Sequence, residues 1–81
     1  MVPVLKVSLW GEVKIISNNP FAVGSQLIIY NAEGQLLLQH LLPGGQYQTQ
    51  ISIANLSPAS YIAVIATGNE NKFRTKLMIM K

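Results

Sequence analysis

The sequence predicts an all-β fold, an immunoglobulin-like antiparallel β-sandwich of about seven short strands. Apolar and polar side chains alternate with a period of two, which is typical of strands with one face in a core and one in solvent. Clusters of turn-forming residues separate these runs at intervals of roughly 8–12 residues. Hydrophobic residues form 49% of the 81 residues and charged residues 11%, a composition that indicates a folded chain rather than a disordered one.

The first two strands are predicted at residues 4–10 and 12–17, with Gly11 between them. Two later runs, residues 27–30 and 61–66, are apolar on both faces. Runs of this kind are typical of strands that are covered on both sides. We therefore expect these two to be central strands of a sheet.

A hairpin is predicted where residues 27–31 are followed by residues 35–41. Asn31 and Gly34 are the first and fourth residues of the connecting segment "NAEG". These are the positions at which asparagine and glycine are favoured in a type I turn. Further turns are predicted at "NNP" (18–20), "PGG" (43–45), "SPAS" (57–60) and "TGNEN" (67–71).

The clearest alternation lies in two segments of the second half of the chain. In residues 46–53, one face of a half-buried strand is predicted to consist of Tyr47, Thr49, Ile51 and Ile53. In residues 73–80, the apolar face consists of Phe73, Thr75, Leu77 and Ile79. The opposite face of that last strand then carries Arg74, Lys76, Met78 and Met80.

The residue types argue against catalysis. The chain has one histidine, His40, three scattered glutamates, and neither aspartate nor cysteine. A nucleophilic triad or a three-ligand zinc site cannot be assembled comfortably from that set. His40, beside Leu41 and Leu42, is interpreted as a strand-end or edge histidine. We expect no enzyme, no cofactor and no small-molecule substrate.

The charge distribution argues against nucleic acid as a partner. The formal net charge is +3, and four of the six basic residues follow position 71. A nucleic-acid-binding surface would need a larger basic patch interleaved with aromatic side chains. The sole tryptophan, Trp10, is interpreted as an anchor of the core or its rim near the first turn.

Five motifs occur in an order that resembles the type A C-terminal sorting domain of type IX secretion cargo in Bacteroidetes. The first is an "NPF" opening formed by Asn19, Pro20 and Phe21. The second is "YNAEGQ", with the family's motif positions at Tyr30, Asn31, Gly34 and Gln35. An "NL" turn at Asn55 and Leu56, a strand led by Tyr61, and a last strand "FRTKLMIMK" (73–81) complete the series.

Three features depart from the family pattern. Family members usually have glycine two residues before the tyrosine of the penultimate strand, where this chain has Ala59; that implies a different turn or backbone strain. Only residues 22–26 separate "NPF" from the strand at 27–30, so the domain is compressed by one hairpin. Residues 4–10 precede "NPF", where cargo proteins often have a linker, and we expect this strand to replace the missing one.

The resemblance implies a domain that directs an attached N-terminal protein across the outer membrane and to cell-surface attachment. The implied partners are the type IX translocon or its shuttle and attachment-complex proteins, and a sortase-like peptidase that removes the domain from most cargo. The implied location is the periplasm in transit, then the outer membrane, the cell surface or the extracellular space. Export would begin with a signal peptide at the far end of a longer protein.

We expect the signal to be read at the last strand, in Lys76, Leu77, Met78, Ile79, Met80 and Lys81. An edge strand can be read by addition of a partner's strand, and the basic end would steer the domain toward an acidic partner. The competing interpretation is that the apolar residues fill the core and the lysines protect an edge from aggregation. The other motif residues named above are expected to be structural.

The predicted organisation is a lead-in strand or linker end at residues 1–12 and a sorting domain at residues 13–81, forming one compact unit with residues 4–10. Two alternatives to a cleaved sorting signal remain open. One is a retained version that acts as a docking module of a surface or attachment-complex component. The other is a generic immunoglobulin-like binding or spacer module that uses Trp10 and the tyrosines as its contact surface.

Overall fold

Seven β-strands make up the regular structure, as a computed structural model shows for residues 3–7, 11–68 and 70–79. No helix occurs in these described segments. The strands are β1 (Val4–Val7), β2 (Glu12–Ile16), β3 (Ser25–Tyr30), β4 (Leu36–Leu41), β5 (Gln48–Ser52), β6 (Ala59–Thr67) and β7 (Glu70–Ile79).

The strands form two antiparallel sheets that are arranged as a sandwich. The smaller sheet has the order β1-β2-β5 and the larger sheet the order β4-β3-β6-β7. Every strand pair is antiparallel. The predicted all-β sandwich is confirmed, and the two runs that are apolar on both faces, now β3 and β6, are the central strands of the larger sheet.

The core lies between the two sheets and is made by alternate residues of each strand. Val13 and Ile15 of β2 and Ile51 of β5 contribute from the smaller sheet, all at most 2% exposed. The larger sheet contributes Leu27, Ile29, Tyr61, Ala63, Ile65, Leu77 and Ile79. Burying one large aliphatic side chain stabilises a fold by about 1.5–3 kcal/mol. Because this set comes from five of the seven strands, and both sheets contribute to it, the two sheets hold each other in place.

Loop residues close the ends of this core. Phe21, Leu42, Ile53 and Leu56 lie outside the strands, yet each is at most 7% exposed and belongs to the buried cluster. Ser25 is also buried, and its hydroxyl shares a 2.9 Å hydrogen bond with the Thr67 hydroxyl. Within the described part of the chain, no buried side-chain nitrogen or oxygen lacks a hydrogen-bond partner.

The β3–β4 hairpin closes through the predicted type I turn. The Gly34 amide donates to the Asn31 carbonyl at 3.0 Å, and the Asn31 amide donates to the Gln35 carbonyl at 2.9 Å. Gly34 has a φ of +85°, which glycine adopts without the steric cost that other residues meet. A type I turn followed by a glycine in this region is a common way to close a hairpin.

Some predicted boundaries are wrong. The strand predicted at residues 46–53 is limited to Gln48–Ser52, and Tyr47 lies before it with 55% of its surface exposed. Tyr47 is therefore not part of the core, although the hydrogen bond from the Ser17 amide to its carbonyl extends the β2–β5 pairing by one residue. Thr49, Ile51 and Ile53 do lie on the inner side.

Two predicted turns are also shorter than expected. Ala59 and Ser60 of "SPAS" already belong to β6, where they pair with Ile79 and Met78. Glu70 and Asn71 of "TGNEN" belong to β7 in the same way. Turn-forming residue types therefore extend into strand ends where a neighbouring strand supplies backbone partners. The first strand, predicted at residues 4–10, is observed as β1 over Val4–Val7. Residues 8–10, including Trp10, lie outside the described segments.

Candidate functional site

The "NPF" motif anchors a loop between the two sheets. Phe21 is buried, its amide donates to the Gln46 carbonyl at 2.8 Å, and its carbonyl accepts the Gly45 amide at 2.8 Å. Asn19 and Pro20 are exposed, and the Asn19 amide donates to the Ser17 hydroxyl at 3.2 Å. The aromatic residue thus fixes the loop, while the two residues before it shape the turn.

In the "YNAEGQ" motif, the side chain of Asn31 makes most of the hydrogen bonds that hold the turn. The Asn31 side-chain oxygen accepts the Gln35 amide at 2.8 Å and the Glu33 amide at 3.0 Å, and its nitrogen donates to the Gln35 side chain at 3.1 Å. These bonds satisfy backbone donors that the turn leaves without ladder partners. Tyr30, just before the turn, is half-buried on the outer face of the larger sheet.

The "NL" motif and Tyr61 shape the connection from β5 to β6. Leu56 is buried, and its amide donates to the Ile53 carbonyl at 3.0 Å, whereas Asn55 is exposed. The Tyr61 ring is buried, and its hydroxyl donates to the Ser57 carbonyl four residues upstream. The bond resembles the tyrosine corner of immunoglobulin-like sandwiches, in which a tyrosine near a strand start ties down the preceding turn.

Ala59 occupies the position where the resemblance suggests glycine. No non-glycine residue in the described segments has a positive φ, and Ala59 is the first residue of β6, exposed and paired with Ile79. The backbone here has an extended conformation that alanine adopts freely. The expected alternative of backbone strain at Ala59 is therefore wrong.

The last strand presents two chemically different faces. Leu77 and Ile79 point inward and are at most 4% exposed, while Lys76 and Met78 point outward and are exposed. Of the six candidate signal residues, Met80 and Lys81 lie outside the described segments. The two buried members have a packing role, which leaves Lys76 and Met78 as described residues that a partner could contact.

Strand β7 also lies at an edge of the larger sheet, because β6 is the only one of the described strands that pairs with it. One side of its backbone thus has no strand partner within its own sheet. Strand β1 of the smaller sheet approaches it, with Cα atoms of the two strands within 8 Å. The position that strand addition requires is present, at the side of the sandwich where the lead-in strand lies.

A groove of about 570 Å³ opens on the outer face of the larger sheet. It lies between the β3–β4 turn at Ala32, the start of β6 at Ser60 and Ile62, and the outward side chains of β7 at Arg74 and Lys76. Arg74 is absent from the candidate signal residues. The sequence could have indicated Arg74, because it lies two residues before Lys76 and residues separated by two share a face of a strand.

The basic residues of β7 differ in their charge environment. The Lys72 ammonium donates to the Glu70 carboxylate at 2.7 Å, and this hydrogen bond, together with the attraction between the two charges, holds the Glu70 pKa below its usual value. Arg74 and Lys76 are exposed, and neither has an ion pair with an acidic residue of the described segments. Lys72 is thus neutralised locally, while the two cations of the groove are not.

The groups that could support other chemistry lie apart. His40 is exposed on edge strand β4, with its Nδ1 at 2.9 Å from the Leu41 carbonyl oxygen. No group of three or more histidine, cysteine, aspartate or glutamate residues that could hold a metal ion occurs in the described portion of the chain. That portion likewise contains no helix long and apolar enough to cross a bilayer.

Comparison with known proteins agrees with the order of motifs. No curated protein matches the chain. A family model described as "Secretion system C-terminal sorting domain" matches residues 10–80, a span that includes six of the seven strands and every motif residue discussed above except Lys81. The chain therefore belongs to the family of type IX secretion system C-terminal sorting domains.

Proposed function

We propose that this domain carries an attached N-terminal protein through the type IX translocon and on to attachment at the cell surface, and that its last strand is the part that is read. Membership of the family makes the chain a sorting signal for export across the outer membrane. The observation that supports the last strand as the address is its position: β7 lies at a sheet edge with Lys76 and Met78 exposed.

The proposed partners are proteins of the translocon, its shuttle and its attachment complex, with a sortase-like peptidase that releases the cargo. An edge strand can bind a partner through backbone hydrogen bonds, with alternate side chains deciding which partner fits. The other motif residues support this role indirectly. The loops and turns that connect the strands are fixed by Phe21, Asn31, Leu56 and Tyr61. These contacts support the sheet to which the β7 edge belongs.

The experiment that tests this function is a fusion of the 81-residue chain to the C-terminus of a periplasmic reporter in a host with a type IX system. Antibody labelling of intact cells measures the fraction of reporter on the surface. We expect most of the fused reporter at the surface, and none when the reporter lacks the domain or the host lacks the translocon. A folded fusion that stays in the periplasm of the competent host would contradict the proposal.

A second function, as a retained docking module, is favoured by strand β1. It pairs with β2 along its whole length, from Val4 opposite Ile16 to Val7 opposite Val13, and Leu5 and Val7 pack against the core. A peptidase needs an extended and accessible segment before the domain. A lead-in strand that is built into the smaller sheet leaves less such chain next to residue 13.

Mass spectrometry of the mature surface protein distinguishes cleavage from retention. Peptides from β7 in the surface-attached fraction would support the docking module. Their absence there, with free domain in the medium, would support a cleaved signal.

A further inference from the structure

On the outer face of the larger sheet, apolar side chains of β3 and β6 lie next to cationic side chains of β7. The strand register aligns Tyr30, Ile62 and Lys76 in one row across β3, β6 and β7. The next row aligns Ile28, Val64 and Arg74. Each cation thus lies beside an aliphatic side chain, and the groove described above opens between Ile62 and the two cations.

Arg74 and Lys76 form no ion pair with an acidic residue of the described segments. Glu70 binds Lys72, and Glu12 belongs to the other sheet. Glu33 follows the groove residue Ala32 and forms no ion pair with another described residue. The positive charges of Arg74 and Lys76 repel each other. A bound anion would reduce that repulsion and would also form new hydrogen bonds with both side chains.

The spacing of the two cations suggests the shape of what binds them. Residues separated by two on a strand lie about 6.8 Å apart, which is also the separation of alternate side chains in an extended peptide. A peptide that runs along β7 with acidic residues at alternate positions would place one carboxylate at Arg74 and the next at Lys76. The backbone of that peptide would then cover Ile62 and Ala32.

We propose that this groove binds an extended peptide segment of a partner protein that carries acidic side chains at alternate positions. Arg74 would hold one carboxylate through paired N–H donors, and Lys76 would hold the second as a point charge. The inference deepens the proposed function, on which it rests for the identity of the partner as a component that reads the signal. The binding chemistry itself depends only on the groove.

The test titrates the isotopically labelled 81-residue chain with a blocked peptide in which glutamate alternates with threonine, and follows amide shifts by NMR. We expect the largest shifts at Ile62, Arg74 and Lys76. The same peptide with glutamine in place of glutamate should bind at least about tenfold more weakly, because the charge-assisted bonds are lost. Equal binding of the two peptides, or shifts confined to the smaller sheet, would overturn the proposal.

A matched pair of variants separates the groove from net charge alone. Arg74→Gln with Lys76→Gln removes two charges from the groove, while Lys6→Gln with Lys14→Gln removes two from the outer face of the smaller sheet, where these lysines face each other. The first pair should weaken peptide binding about tenfold and the second less than about twofold. Equal weakening, or equally strong binding of single-stranded DNA or anionic lipid vesicles, would show general anion attraction and contradict the assignment.

The same variants in the reporter fusion separate this inference from the proposed function. Surface display that persists after loss of peptide binding would leave the sorting function standing and refute the groove as its reading site. Peptide binding by a domain that never brings its reporter to the surface would refute the sorting function and leave the binding site standing.

Discussion

At the scale of single residues, the family motifs are explained by turns and packing. Asn31 and Gly34 close a hairpin with side-chain and backbone hydrogen bonds. Phe21 and Tyr61 are buried and hold loops against the sheets. These residues shape the loops and turns of the domain, while the exposed positions of β7 are the ones that we propose a partner contacts.

Replacing Ala59 by glycine tests the interpretation of the missing family glycine. Because the φ of Ala59 is not positive, glycine relieves no strain and adds flexibility to the start of β6. We expect Ala59→Gly to lower the free energy of unfolding by about 0.5–1 kcal/mol, as measured by urea denaturation. A variant more stable than the parent would show that Ala59 is strained after all.

Neighbouring leucines offer a test of the core. Leu42 is 2% exposed and belongs to the buried cluster, while Leu41 is 64% exposed. Leu42→Ala should reduce the free energy of unfolding by about 2–5 kcal/mol because it leaves a cavity. Leu41→Ala should change it by less than about 0.5 kcal/mol. Similar losses for both variants in thermal or urea unfolding would show that the end of β4 packs differently.

At the scale of elements, the sequence predicted strand faces better than strand ends. Alternation placed Ile51, Leu77 and Ile79 inside and Lys76 outside, as observed, because each side chain's burial follows from the pleat of its own strand. Strand ends depend on partners distant in sequence. Tyr47 shows this, because it lies one residue beyond the paired span of β5 and β2, where the core no longer covers its side chain.

Strand β1 is the element whose contribution is most easily measured. Removing residues 1–10 exposes the β2 edge and takes Leu5 and Val7 from the core. We expect a loss of roughly 2–4 kcal/mol in the free energy of unfolding, since the two side chains are only partly buried. Leu5→Ser should reproduce part of this loss and the outward Lys6→Ser should not. A truncated chain as stable as the full one would show that β1 is merely attached linker.

At the scale of the whole molecule, the fold was predictable as a class and its sheet assignment was not. Period-two patterns indicate strands, and runs that are apolar on both faces indicate central ones. Which strands share a sheet depends on contacts between distant segments, as in the pairing of β2 with β5. The groove beside Arg74 was hidden for the same reason, because it forms only when β3, β6 and β7 lie side by side.

The central claim is that the exposed face of β7 carries the sorting address, and the surface-displayed fraction of a reporter fusion tests it most directly. Two folded double variants are compared: Lys76→Gln with Met78→Gln on β7, and Lys14→Gln with Val4→Gln on the smaller sheet, which also removes one cation and one exposed apolar side chain. We predict loss of display for the β7 variant and normal display for the other. Normal display by the β7 variant would contradict the account.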